Sequence, residues 1–363
     1  MAPSTSILLD PRAVQAQSCL LEVKTALDPQ LPRSDPARLS VGPPSPALAR
    51  IERPSKVRSL VKDYLVYLTI RVLISLIQVL SLATACWLAR GLAWLTYRLD
   101  RRHRLVAADN WRAAFPGQFT EAEIQQRVQF IYRHFCTMLM EMIFLPRKLH
   151  HRNRWRYMDY ADEKGKEQTF QCLEKDRPYI IVTGHLGNWE MFSYHLGLCG
   201  FRAYAVARPL DNPFLDRLLQ DLRESTGQKI LSKHGDLKRM ENVLKSGGVL
   251  GFLADQDAGS RGLFVDFFGR PASTHRVIAS LALKYAAPVL VLGTRQVGEP
   301  MCYQIEVEDI IRPEEYSRHP DGVRALTQRY TSALERLIRR APEQYFWLHR
   351  RWKTQPREPL SKG

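Results

Sequence analysis

A histidine and a glutamate five positions apart sit inside IIVTGHLGNWEMF, residues 180–192. A short apolar run ends in Thr183-Gly184, His185 follows, and Glu190 heads a second apolar segment. On one continuous helix, five residues turn about 500°, which sets two side chains on different faces. His185 and Glu190 therefore cooperate only if the histidine lies in a loop and the glutamate in the first turn of the next helix. Gly184 and Gly187 allow such a turn, and Asn188 is a good N-cap that puts Glu190 near the positive end of the helix dipole. A carboxylate that holds an imidazole and stabilises its protonated form makes histidine a general base, so the spacing predicts His185 as the base and Glu190 as its orienting carboxylate.

Three further stretches carry chemistry. In VLGFLADQDAGSRG, Asp255, Gln256 and Asp257 follow directly on an apolar run, at the sheet edge that would hold His185 if the two strands run parallel. In ARPLDNPFLDRLLQDLRESTG, Arg208 follows a strand and Arg223 lies on the next helix; both residues suit phosphate or carboxylate recognition. In EQYFWLHRRWKT, aromatic and basic residues alternate from Tyr345 to Lys353, which fits either an edge strand with a basic face or a strip that binds lipid headgroups.

The elements that must position these residues alternate. Strands are expected over 179–182, 202–207, 229–231, 249–254, 288–294 and 303–307. Helices are expected over 188–199, 214–226, 237–245, 274–285 and 324–340. Strands alternating with helices of this length predict an α/β domain around a mostly parallel sheet flanked by helices, whose active sites gather at the carboxyl ends of the strands. Before it, residues 120–145 read as an amphipathic helix, with Thr120 and Glu123 as a capping box and Pro146 as its end.

Upstream, Val72–Ala89 is eighteen residues without a charge. About 20 apolar residues cross a bilayer, while Ser75, Gln78, Ser81 and Thr84 weaken this candidate. It reads as an N-terminal membrane-associated helix that either spans or lies in the interface. Basic residues flank both sides: Lys56, Arg58, Lys62 and Arg71 before it, and Arg90, Arg98, Arg101, Arg102 and Arg104 after it. Their balance leans toward a cytoplasmic C-terminal side. The expected organisation is a disordered, proline-rich leader over 1–55, a membrane-associated segment over 56–104, a catalytic domain over 105–355 and a tail over 356–363. The chain carries a formal net charge of +16, which favours acidic partners. Its six cysteines are scattered and form no Cys-x-x-Cys pair, which argues against a zinc site or a disulfide framework.

Taken in order, GHLGNWE, RPLDNP, LADQD, FFGRPASTH and EQYFWLHRRWKT resemble the late acyltransferases of lipid A biosynthesis, the lauroyl- and myristoyltransferase family, over roughly residues 60–355. The membrane-proximal LARGLAWLTYRLDRRHRLVAADNWRAAFPG is similar to the family's start. The resemblance implies a glycerolipid-acyltransferase-like α/β fold and transfer of an acyl group to a hydroxyl of a membrane glycolipid, a lipid A precursor. The implied donor is a thioester on acyl carrier protein or coenzyme A. It implies His185 as general base and Glu190 as its orienting partner, and it matches two further functional positions, Arg223 for binding a phosphate or steadying the oxyanion and Asp255 for ordering the site; with Arg208, read from its place after a strand, these are expected on the substrate side. No metal, cofactor or covalent acyl-enzyme is implied, since a thioester is already activated. The expected location is the inner membrane, with the catalytic domain facing the cytoplasm and no nucleic-acid partner. Two rivals stay open. One is a metal-dependent hydrolase drawing ligands from His185, Glu190, Asp255, Asp257, His234 and His275. The other is a basic membrane-tethered module that binds nucleic acid or anionic lipid.

Overall fold

Residues 179–183, Tyr-Ile-Ile-Val-Thr, carry apolar side chains on both faces because the strand they form is central and covered on both sides. The computed structural model describes residues 59–172, 177–232 and 235–356. The expected leader over 1–55, His234 and most of the expected tail lie outside these residues. Nine strands are described: β1 (Met158–Tyr160), β2 (Tyr179–Thr183), β3 (Ala203–Ala207), β4 (Lys229–Ser232), β5 (Val249–Leu253), β6 (Leu263–Phe267), β7 (Arg270–Thr274), β8 (Val289–Gln296) and β9 (Tyr303–Ile311). Seven of them form one sheet in the order β1-β9-β8-β2-β5-β3-β4. The five strands from β8 to β4 run parallel, β9 is antiparallel to β8, and β1 is parallel to β9.

Alternation along the strands sorts the core into two layers. Ile180, Val182, Leu250 and Phe252 pack with α10 (Val277–Tyr285) and α11 (Gly322–Arg340). Ile181 and Leu290 face α7 (Trp189–Leu198) and the end of α4 (Glu121–Lys148), where Met191, Phe192, Phe144 and Leu145 are buried. The remaining helices are α1 (Leu60–Val79), α2 (Leu82–Leu99), α3 (Arg101–Ala114), α5 (Arg154–Tyr157), α6 (Glu163–Cys172), α8 (Pro213–Glu224) and α9 (Leu237–Lys245). The Thr120–Glu123 capping box is present.

Three expectations are corrected. The uncharged run Val72–Ala89 is not one helix. Leu80 is extended and Ser81 caps α2 by accepting from Thr84 N–H at 3.1 Å, so the run is divided between α1 and α2. A hydroxyl that bonds local backbone competes with helix continuation, and no helix among the described residues is long and apolar enough to cross a membrane. Both helices nevertheless expose large apolar side chains, including Val79, Trp87, Trp94 and Leu99 at 62% or more. Pro146 does not end α4, which continues to Lys148; in the last turn a proline removes only one helical hydrogen bond. The stretch EQYFWLHRRWKT is neither an edge strand nor a surface strip. Tyr345, Trp347 and Arg351 are each 1% exposed, because the aromatic residues pack into the core and Arg351 donates to Ser273 O and Thr274 Oγ1, both at 2.7 Å.

The β6–β7 hairpin has no signal in the sequence, and residue 274 belongs to it rather than to α10. Its two-residue turn is Phe268-Gly269, with φ of 58° and 72°. Such turns usually declare themselves by Asn-Gly or Asp-Gly. Here the strained phenylalanine is held by burial, by donation from its N–H to Glu335 at 2.6 Å, and by the Arg339 guanidinium 4.5 Å from its ring centroid.

Candidate active site

Register brings the site together. β2 and β5 are parallel neighbours with Thr183 opposite Leu253, so the residues two positions on, His185 and Asp255, emerge side by side at the carboxyl edge. Gly184 lies against the Asp255 side chain, and a Cβ there would come within 3.3 Å of a carboxylate oxygen. Asp255 is 1% exposed. Its carboxylate accepts twice from His185, from the ring Nδ1–H at 2.8 Å and from the backbone N–H at 2.8 Å. Burial alone would push this carboxyl up; the His185 charge and hydrogen bonds, with His349 behind, override burial and hold it well below the usual carboxylate range.

This arrangement fixes the tautomer. With Nδ1–H given to Asp255, His185 Nε2 carries the lone pair, and the Gln256 amide nitrogen lies 3.4 Å from it. Trp189 stands edge-on to the ring, 4.8 Å between centroids, and Phe346 lies at 6.1 Å. The C-terminal stretch closes over the site. Phe346 N–H donates to His185 O at 2.9 Å, and the His349 ring nitrogens Nδ1 and Nε2 lie 2.7 and 3.1 Å from the carbonyl oxygens of Phe346 and Asp255.

Glu190 does lie in the first turn of α7, with Asn188 as N-cap accepting from Met191 N–H at 2.9 Å. Its expected partner is corrected. The Glu190 carboxylate faces α8, where Arg223 Nε donates to it at 2.8 Å and Arg223 Nη2 makes a second contact. Trp189 Nε1–H also donates to Glu190 at 3.2 Å. The carboxylate that orients His185 is Asp255, seventy positions away, because a parallel strand pair delivers it there and the first helical turn points Glu190 elsewhere.

The other candidates separate. Arg208 lies past the carboxyl end of β3, on the same sheet edge, exposed and paired with Asp211 at 3.2 Å. Asp257 accepts from Thr354 Oγ1 at 2.9 Å and Gly259 N–H at 3.1 Å, tying the C-terminal stretch to the β5 loop. Among the described residues no three His, Cys, Asp or Glu converge as metal ligands.

Behind Trp189 and Glu190 lies a cavity of about 80 Å³ between the sheet and α7, lined by Ile181, Thr183, Phe192, Ala205 and Gly251 among others. That is several times the ~10–15 Å³ a single water requires, and the lining is mostly apolar. The back of the loop is clamped by residues that no motif marked. Thr294 Oγ1 accepts from Asn188 N–H at 3.2 Å and donates to Leu186 O at 3.1 Å. His134 Nε2 lies 3.2 Å from Gly187 O. Gly187 has φ +61°, and a Cβ there would sit 2.1 Å from Thr294 O, so only glycine fits.

The family model described as bacterial lipid A biosynthesis acyltransferase matches residues 53–354. The chain is 28% identical over 268 residues to the lipid A biosynthesis lauroyltransferase of Escherichia coli K12, covering 73% of this chain and 84% of the relative. It is 25% identical over 280 residues to the lipid A biosynthesis palmitoleoyltransferase of the same organism, covering 75% and 85%. A lipid A biosynthesis acyltransferase of Haemophilus influenzae is 24% identical over 257 residues, covering 70% and 77%. With the match running from before α1 to the buried C-terminal stretch, the chain belongs to the bacterial lipid A biosynthesis acyltransferases and is an acyltransferase.

Proposed function

We propose that this enzyme moves a fatty acyl group from a thioester, on acyl carrier protein or coenzyme A, to a hydroxyl of a lipid A precursor, with His185 as general base. The observation that carries the reading is the His185–Asp255 pair. A buried carboxylate takes Nδ1–H and leaves Nε2 as the acceptor, at a parallel-sheet edge beside an apolar cavity. His185 Nε2 removes the acceptor hydroxyl proton as the oxygen attacks the thioester carbonyl. The tetrahedral intermediate then collapses, the C–S bond breaks, and the imidazolium returns its proton to the departing thiolate. Asp255 stabilises the imidazolium between these steps.

The cavity behind Trp189 suits the acyl chain. The Glu190–Arg223 pair walls it and holds Trp189 against the His185 ring, which gives Glu190 a role in shaping the slot. Arg208, exposed at the same edge, suits a phosphate of the acceptor or donor. The apolar side chains on α1 and α2, with Arg71, Arg90, Arg98, Arg101, Arg102 and Arg104 on the same segment, support a membrane-associated enzyme whose first helices lie in the interface. An inner-membrane location with the site on the cytoplasmic side follows from where acyl thioesters are made.

The test is acyl transfer by wild type and His185→Ala, with radiolabelled acyl-carrier protein or acyl-coenzyme A offered separately and a lipid A precursor as acceptor. Removal of the base is expected to lower turnover by roughly 10²-fold or more. Equal turnover by both proteins would reject the base assignment, and the donor that labels the lipid identifies the carrier.

A further inference from the structure

Glu141 lies in the C-terminal half of α4, outside every motif noted in the sequence, and is completely buried. Four neutral donors face its carboxylate. Met301 N–H at 2.7 Å and Gln296 Nε2 at 3.3 Å reach Oε1; Asn188 Nδ2 at 2.9 Å and the Tyr303 hydroxyl at 2.7 Å reach Oε2. Three of the four can only donate in this arrangement. The Asn188 amide is thus oriented from behind. With its nitrogen given to Glu141, its oxygen is left to cap α7 through Met191 N–H at 2.9 Å. The residues on either side of that cap are the His185 loop and Glu190.

We propose that Glu141 is a positioning residue: by accepting from Asn188 it fixes the amide that starts α7, and so sets the pitch of the loop carrying His185 against the turn carrying Trp189 and Glu190. This rests on the His185-centred reading of the reaction. A helix with a misplaced first turn would move Trp189, which contacts both the base and the cavity.

The test exchanges the polarity of the contact. In Glu141→Gln the new amide nitrogen opposes Asn188 Nδ2 or Met301 N–H. Asn188 escapes only by rotating its amide, which takes the cap from Met191. The variant is expected to fold and to lose about 10- to 100-fold in kcat, the scale for an ångström of misplacement distant from the chemistry, with KM little changed. Asn188→Asp alone sets two carboxylates together and is expected to be impaired as well. In the double variant Glu141→Gln/Asn188→Asp, the carboxylate now at the cap accepts from both the new amide on α4 and Met191 N–H. There kcat is expected to return to within about threefold of wild type, a coupling that independent sites do not show. Amide exchange at Met191 should quicken in Glu141→Gln and slow again in the double variant. Unchanged kcat in Glu141→Gln, or a double variant no better than either single one, would overturn the proposal. If His185→Ala keeps wild-type activity, the base assignment falls instead, and exchange at Met191 alone decides whether Glu141 holds the cap.

Discussion

In the proposed mechanism, replacing Asp255 by asparagine removes the charge that stabilises the His185 imidazolium while keeping the shape of the side chain. The two groups meet at 2.8 Å in a site where Asp255 is 1% exposed. Taking about 4 Å between the charge centres and an effective dielectric near 20, their attraction is about 4 kcal/mol. That interaction develops only as the base takes its proton, so it enters the barrier rather than substrate binding, and about 4 kcal/mol corresponds to roughly 10³-fold in rate. The amide also offers an N–H to Nδ1, which would move the ring proton to Nε2 and block the base. Asp255→Asn is therefore expected to lower kcat on the order of 10³-fold with KM changed little. Single-turnover acyl transfer with saturating donor measures it, with circular dichroism and a thermal scan as the folding control. A folded Asp255→Asn variant within about threefold of wild type, alongside a large kcat loss in Glu190→Gln, would refute the reasoning and return the orienting role to Glu190.

Removing one partner of the Glu190–Arg223 pair, as in Arg223→Met, is expected to cost about 3 kcal/mol in urea unfolding, because it leaves a largely buried charge alone; the double variant Glu190→Gln/Arg223→Met should cost less than the two single changes summed. Gly251→Leu projects into the cavity, where a Cβ would meet only Ala205 Cα at 3.9 Å; donor preference should move to shorter chains, with turnover of longer donors falling about fourfold for each methylene excluded, read from a donor series of increasing length. Leu76→Asp with Trp94→Asp, both exposed positions, should leave the thermal midpoint nearly unchanged and lower flotation with anionic vesicles at least about tenfold, since each large apolar side chain contributes roughly 1.5–3 kcal/mol when buried. The Asp255 carboxyl is held below its ordinary value, so its pairing contributes stability above about pH 4, the unfolded carboxyl's range, and loses it as pH falls further toward the folded value. The difference in thermal midpoint between wild type and Asp255→Asn should shrink as pH falls below about 4.

Features specified by adjacent residues were legible in the sequence. The Thr120–Glu123 box, the N-cap at Asn188 with Glu190 in the first turn, and, apart from the β6–β7 hairpin, the strand and helix order from Tyr179 to Arg340 all rest on contacts within a few positions, where residue type and period carry the information. The same local chemistry explains one miss: Ser81 is an N-cap signal too, but inside eighteen uncharged residues hydrophobicity outweighed it. The Phe268-Gly269 turn gave no warning, because its left-handed phenylalanine is tolerated only where Glu335 and Arg339 of a distant helix hold it. The buried placement of Trp347 and Arg351 was hidden for a related reason, since alternating aromatic and basic residues describe a surface strip until the partners that accept the arginine's hydrogen bonds are known.

The sequence by itself determined that His185 stands in a loop at a strand end and that acidic groups follow a second strand. Only the tertiary structure decided which carboxylate reaches it. Pairing of β2 with β5 places Asp255 against Nδ1 across seventy residues, while the first turn of α7 commits Glu190 to Arg223 on α8. Local periodicity specifies where a chain turns, but strand order and register are set by the burial of both sheet faces at once, and that is a property of the packed molecule.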